Sequence, residues 1–323
     1  MKVLANDGLS KSGIEKLERA GFAVCTTKVA QGRLTGFLNK NEIQVLLVRS
    51  ATQVRKELID SVPSLRVIGR GGVGMDNIDV AYAKRKGIHV ISTPAAASIS
   101  VAELVFAHLF GMVRFLYDSN RNMPLSGDSK FGALKKNYAG GRELRGKTLG
   151  VIGFGRIGKE VAKIALGLGM RVVASAPGSK GESKLDVRFC DGQSLRFTVE
   201  LKPLAVLLAE SDWTTLHVPA QSEPLIGARE LQLMKDQAGL VNASRGGIVD
   251  EAALIAALTS GKIAYAALDV FKDEPRPSIE LLMNPHLSLS PHIGAATVEA
   301  QERIGVELAD QITDIYAREN AAT

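Results

Sequence analysis

The chain is poor in cysteine and in aromatic residues. Among 323 residues there are two cysteines, one tryptophan and 5% aromatics. Cys25 and Cys190 are too few for a disulfide framework and lack the paired spacing of a metal site. A reduced, cytoplasmic protein is the expectation. Long hydrophobic runs are also missing. The longest apolar stretch, from Val101 to Val113, contains Glu103 and His108 and is too short to span a bilayer. The first residues, Met1 to Asp7, lack the apolar core of a signal peptide and read as a strand. No internal repeat or low-complexity tract is present. The net charge is +6, but lysines and arginines are spread out, with short clusters such as Lys84-Arg85-Lys86 and Lys135-Lys136. A scattered surplus argues against a nucleic-acid partner and for anionic small molecules.

What the chain has is alternation. Strand-like runs at 2–6, 22–26, 44–49, 66–69 and 88–91 are separated by amphipathic stretches at 10–20, 54–61 and about 76–86, the last stopped by Gly87. A long helix is predicted from Ser98 or Ser100 to about Tyr117, followed by a polar segment from Asp118 to Arg145. A second alternating set has strands at 148–152, 171–175, 213–217, 239–243, 263–268 and 287–290. Helices are expected at 157–168, 204–209 and 251–259, and a last one at 297–317. This pattern predicts an α/β protein with two parallel sheets and helices on both faces. Between Lys184 and Leu201, Leu185, Val187 and Phe189 and then Leu195, Phe197 and Val199 alternate with polar residues around Asp191-Gly192. That is a hairpin signal. The hairpin is expected as an appended decoration of the second domain.

The segment Gly153-Phe154-Gly155-Arg156-Ile157-Gly158 follows a strand and opens a helix. Gly153 permits a tight turn, Gly155 lets a pyrophosphate approach the backbone, and Gly158 allows close packing of helix on strand. The helix N-terminus offers N–H groups to the anion. With six strands, this predicts a complete Rossmann-type dinucleotide domain. An acidic residue expected at the end of the second strand, to hold the ribose hydroxyls, is replaced by Ala176. Ser179 and Lys180 could contact a 2′-phosphate, but no arginine stands there. NAD is expected to be slightly favoured, with NADP admitted.

Three later loops at strand ends carry reactive side chains: Asn242-Ala243-Ser244-Arg245-Gly246-Gly247, Leu268 to Pro275, and Ser290-Pro291-His292-Ile293-Gly294-Ala295-Ala296-Thr297. In an open α/β sheet these loops face the same crevice as the glycine turn. An arginine can grip a carboxylate through two parallel hydrogen bonds. A histidine backed by a carboxylate can exchange a proton with a hydroxyl. With a nicotinamide, the set suits oxidation of a 2-hydroxy acid.

Over its whole length the chain resembles the D-isomer-specific 2-hydroxyacid dehydrogenases, and among them those acting on D-3-phosphoglycerate. The segments that carry the likeness are Gly69–Asp79, the glycine turn, Leu216-His217-Val218-Pro219, the arginine loop, Leu268–Glu274 and Pro291–Gly294. The resemblance implies His292 as acid–base, Glu274 as its partner, Arg245 as substrate clamp and Asp269 on the nicotinamide carboxamide. It places His217, Val218, Pro219, Ala243, Ser244 and Gly294 beside the cofactor, and Arg49, Ser50, Gly72, Val73 and Gly74 beside the substrate. It implies a substrate domain (1–97 with 291–323), flavodoxin-like, and a dinucleotide domain (98–290), with a cleft between them and a homodimer. Relatives often carry an asparagine and a basic residue before the long helix. Pro94 to Ser100 has neither, and Lys135 or Lys136 from a neighbouring subunit is the expected substitute. The chain stops without the C-terminal regulatory domain of many phosphoglycerate enzymes, so serine feedback through one is not expected. The implied reaction is NAD(P)-dependent oxidation of D-3-phosphoglycerate in serine biosynthesis. The alternatives are reduction of glyoxylate or hydroxypyruvate, and a dinucleotide-sensing corepressor-like role.

Overall fold

The structure is a computed structural model and describes residues 1–178 and 181–321. The chain divides into two compact units, Met1–Ser98 with the residues from Ala295 onward, and Ile99–Gly294. The Pro291–Gly294 loop thus belongs with the second unit, whereas the sequence reading ended that domain at residue 290.

The first unit runs β1 (Lys2–Ala5), α1 (Lys11–Arg19), β2 (Ala23–Cys25), α2 (Gln31–Lys40), β3 (Val45–Val48), α3 (Lys56–Ser61), β4 (Val67–Arg70), α4 (Val80–Arg85) and β5 (His89–Ser92). Its five strands pair in the order β2-β1-β3-β4-β5, every pair parallel. This is the flavodoxin-like order. All four residues of β3 are buried, as expected where both faces of a sheet are covered. Burial of side chains such as Leu4, Leu46 and Ile68 stabilises the unit by roughly 1.5–3 kcal/mol each.

The second unit contains α5 (Ser98–Val113), which starts at the boundary, then α6 (Leu116–Ser126), α7 (Phe131–Asn137), β6 (Thr148–Ile152), α8 (Arg156–Gly167), β7 (Arg171–Ser175), β8 (Gly181–Arg188) and β9 (Ser194–Leu201). It continues with α9 (Leu204–Glu210), β10 (Trp213–Leu216), α10 (Ala228–Leu233), β11 (Ala238–Asn242), α11 (Glu251–Thr259), β12 (Ile263–Leu268), α12 (Ile279–Leu282) and β13 (Leu287–Leu289). The sheet order is β13-β12-β11-β10-β6-β7-β9-β8. All pairs are parallel except β8 with β9. The order reverses between β6 and β10, which is the switch point where such sheets bind ligands. The chain closes with α13 (Val298–Ala321). That helix returns to the first unit and packs on α1, where Gly13 and Gly305 meet so closely that a Cβ on Gly13 would stand 2.7 Å from the Gly305 carbonyl carbon.

Several elements differ from the sequence reading. The predicted helix to Tyr117 stops at Val113, because Phe115 takes a left-handed conformation (φ 54°) and α6 leaves at 56° to α5. The polar segment holds α6 and α7. No residue of α6 is buried, so no apolar period marks it. In α2 only Leu34 and Leu38 are buried, and two glycines dilute the pattern. Helices α10 and α12 are too short to show a period. The alternating 184–201 segment forms an antiparallel hairpin from Gly181 to Leu201, and it is not a decoration. Strand β9 pairs with β7 through Val173–Glu200 and Ala174–Leu201, and Leu185 and Val199 are buried in the main core. Among the described residues no single helix is long and apolar enough to cross a membrane.

Candidate active site

The glycine turn lies at the C-terminal end of β6, at the switch point. Gly153 has φ 93°, and a Cβ there would fall 2.3 Å from the His217 carbonyl oxygen. A Cβ on Gly158 would fall 2.2 Å from the Gly153 oxygen. Both positions therefore exclude any side chain. Gly155 differs: it is the N-cap of α8, and a Cβ there would meet nothing within 4 Å. Open space above a helix N-terminus, with the first-turn amides of Arg156, Ile157 and Gly158 lacking partners inside the helix, fits a pyrophosphate. Ala176 directly follows β7, and the Ser175 carbonyl accepts the Gly153 N–H at 2.8 Å. Position 176 is thus beside the cradle and brings no carboxylate to it. Ser179 and Lys180 lie outside the described residues.

His217, Val218 and Pro219 follow β10. The His217 amide bonds the Ile152 carbonyl at 2.7 Å, which sets this backbone under the Gly153 turn. The imidazole is turned inward. Its Nε2 is 3.0 Å from Thr215 Oγ1, and its Nδ1 is enclosed without a partner. The His217 backbone lies under the turn, while its ring bonds Thr215 within the same strand end. Burial pushes its pKa from 6.5 down to about 3. An unfolded chain takes up a proton at this histidine below about pH 6.5, while the folded one does not until about pH 3, so stability falls with acidity across that interval. In H217L, urea-unfolding midpoints should therefore decline less between about pH 7 and about pH 4 than in the parent. An equal decline in both would remove His217 from this account.

Arg245 follows β11. Asn242 shapes its loop: Oδ1 accepts the Ser244 amide (3.1 Å) and hydroxyl (2.8 Å), while Nδ2 donates to the Arg245 carbonyl (2.9 Å). Arg245 Nη1 donates to the Ser244 carbonyl at 2.6 Å. Gly246 presses on the next loop, since a Cβ there would lie 1.8 Å from the Phe271 oxygen. The sequence places Asn242 in this loop without giving it a role; these local bonds supply one.

Glu274 and His292 come together across the ends of β12 and β13. His292 Nδ1 is 2.8 Å from Glu274 Oε2, with the two side chains 41% and 35% exposed. The other carboxylate oxygen accepts the Phe271 amide at 3.0 Å. With Nδ1 donating to the carboxylate, Nε2 is left to meet a reacting hydroxyl or carbonyl. An apolar cavity of 440 Å³ opens beside the pair, walled by Phe271, Pro277, Leu282 and Leu289. Asp269 is buried and accepts three hydrogen bonds from the 290–294 segment. That grip was not foreseen.

The substrate-side residues belong to the first unit. Arg49 and Ser50 follow β3, held by Asp7, whose Oδ2 accepts the amides of Arg49 (2.7 Å) and Thr52 (3.2 Å). Asn77 Nδ2 bonds the carbonyls of Arg49 and Thr52. Burial lowers the Arg49 pKa against the pull of Asp7. Gly72, in the loop that runs on through Val73 and Gly74 after β4, packs against the Arg70 guanidinium and donates to Thr93 Oγ1 at 2.8 Å. Lys135 and Lys136 lie in the last turn of α7 and are exposed.

A sheet that cradles a dinucleotide at its switch point and gathers reactive side chains at the neighbouring strand ends is the build of a nicotinamide-dependent oxidoreductase. The match is specific: residues 106–294 fit the NAD-binding domain of the D-isomer specific 2-hydroxyacid dehydrogenases, and the chain belongs to that family. It is 39% identical over 318 residues to hydroxypyruvate reductase of Thermotoga maritima, covering 96% of this chain and 97% of that protein. It is 37% identical to D-3-phosphoglycerate dehydrogenase of Synechocystis, with 97% of this chain but 54% of that protein covered. The chain thus spans about half the length of that relative. It also superposes on the crystal structure of an NADPH-dependent glyoxylate/hydroxypyruvate reductase from Sinorhizobium meliloti. There the TM-score is 0.78 at 25% identity, over 98% of this chain and 94% of that one. The protein is a D-2-hydroxyacid dehydrogenase, an oxidoreductase with an NAD-binding domain.

Proposed function

We propose that the protein interconverts D-3-phosphoglycerate and 3-phosphohydroxypyruvate, in the cytoplasm and in the service of serine biosynthesis. The supporting observation is a loop-held arginine in each of the two units. Arg245 accounts for the carboxylate of a 2-hydroxy acid. Arg49, half-buried on a loop braced by Asp7, Thr52 and Asn77, is equipped for a second anionic group. In the oxidative direction His292 Nε2 takes the C2 hydroxyl proton, Glu274 stabilises the resulting imidazolium, and Arg245 holds the carboxylate. A bound nicotinamide supplies the hydride acceptor. The cradle at Gly153, Gly155 and Gly158, with Arg156 and Ile157, would hold its pyrophosphate. Large apolar side chains stand exposed on α6 and α7, at Leu116, Leu125 and Phe131, and their cover by a second copy is the basis for reading the protein as a homodimer.

Steady-state kinetics with phosphohydroxypyruvate and hydroxypyruvate decide the substrate. A charge-assisted hydrogen bond worth about 1.5–3 kcal/mol predicts kcat/KM at least about tenfold higher for the phosphorylated compound. R49Q should bring the two values together. Preference for the unphosphorylated acid would support the hydroxypyruvate reductase reading instead, which the full-length match to the Thermotoga protein favours.

The cofactor reading has its own test. Because Ala176 brings no carboxylate to the cradle, discrimination against a 2′-phosphate is weak, with NAD slightly preferred. A176D should lower the KM for NAD several-fold and raise that for NADP by about tenfold or more, through a new hydrogen-bond partner and a new repulsion. An unchanged KM for NAD in the variant would mean that the ribose is held elsewhere.

A further inference from the structure

The second unit contains a line of hydrogen bonds through a histidine that the reaction above does not use. His108 is buried on α5. Its Nδ1 is 2.8 Å from Ser288 Oγ, and its Nε2 is 3.0 Å from Ser290 Oγ. Ser290 Oγ donates to Asp269 Oδ1 at 2.6 Å. Asp269 Oδ1 also accepts the Ile293 amide at 2.8 Å, and Oδ2 accepts the Gly294 amide at 2.9 Å. The line therefore ends on the two amides that follow His292.

Simple proton counting gives the line a direction. A hydroxyl has one proton, and Ser290 gives its own to a carboxylate that can only accept. Ser290 Oγ must then accept from His108, so the proton of a neutral imidazole sits on Nε2. Nδ1 is left bare and receives the Ser288 hydroxyl proton. Burial favours the neutral ring, against the pull of Asp269. Each donor thus points toward the Asp269 carboxylate.

The loop at the end of this line needs holding. His292 has φ 55°, in the left-handed region that residues other than glycine enter uncommonly, histidine more often than most. Glu274 restrains its ring from one side, and Asp269 restrains the backbone that follows. We propose that His108 is a positioning residue: by orienting Ser290 and Asp269 it fixes the 291–294 loop and so the placement of His292 Nε2. The proposal rests on His292 being the proton carrier.

The test compares H108L, H108Q and S290A in the full chain. A glutamine can donate to Ser290 and accept from Ser288, whereas leucine can do neither. Amide hydrogen exchange at Ile293 and Gly294, which needs no turnover, should speed up at least about tenfold in H108L and S290A and stay near the parent rate in H108Q. In the same variants kcat should fall about tenfold, with the KM for the keto acid within about twofold of the parent, and H108Q should recover most of it. Unchanged exchange at the two amides, or an increase spread evenly over β6, β10 and β11, would overturn the proposal. So would faster exchange at the loop with kcat untouched. If the parent turns over no 2-keto acid, the proposed function fails, and the exchange rates still decide whether His108 holds the loop.

Discussion

Replacing His292 with alanine should cut kcat by at least about a hundredfold, the usual contribution of a positioned proton carrier, while dinucleotide affinity stays near that of the parent. The geometry supports a loss confined to chemistry. Glu274 receives the Phe271 amide on one oxygen and faces His292 Nδ1 with the other, so the ring is oriented with Nε2 turned away from the carboxylate. Nothing in the glycine cradle depends on that ring. A second variant, H292N, separates chemistry from backbone strain. Asparagine enters the left-handed region readily, so the loop at φ 55° should persist without the acid–base group. Both variants should be slow, and both should bind NADH, measured by fluorescence titration, within about threefold of the parent. Near-normal turnover in H292N would move the proton transfer to another residue.

How much of this could be read from the residues depends on the range of the interaction. The glycine turn and the three loops were legible because each is a short motif whose parts are neighbours in sequence, set by a strand just before it. The parallel pairing of the strands that alternate with helices followed from that alternation. What stayed hidden was contact between distant positions. His108 lies in an apolar helical run, and nothing near it announces Ser288 and Ser290 as partners. The family resemblance gives Asp269 a place beside the cofactor, but its bonds to Ile293 and Gly294 are long-range and carry no local signal. The hairpin was visible as alternation around Asp191-Gly192. Its insertion beside β7 was not, because pairing of β9 with β7 leaves no local signal.

The second large effect is expected at Arg245. Its loop is prepared before any ligand arrives: Asn242 binds both flanks, and Gly246 is pressed on the Phe271 carbonyl, so the guanidinium is presented from a fixed backbone. A two-pronged hold on a carboxylate, at about 1.5–3 kcal/mol for each charge-assisted bond, corresponds to roughly a thousandfold in kcat/KM. R245A should lose about that much for every 2-keto acid, phosphorylated or not, because the carboxylate is common to all of them. R245K keeps the charge but not the planar fork, and should recover only about tenfold. This pattern differs from that of R49Q, which should affect the phosphorylated substrate most. R245A should keep a cooperative thermal unfolding transition, since the Asn242 bonds that shape the loop use backbone groups and Ser244. A kcat/KM within about tenfold of the parent would show that the carboxylate is held elsewhere, and would leave Arg245 as a scaffold of its own loop.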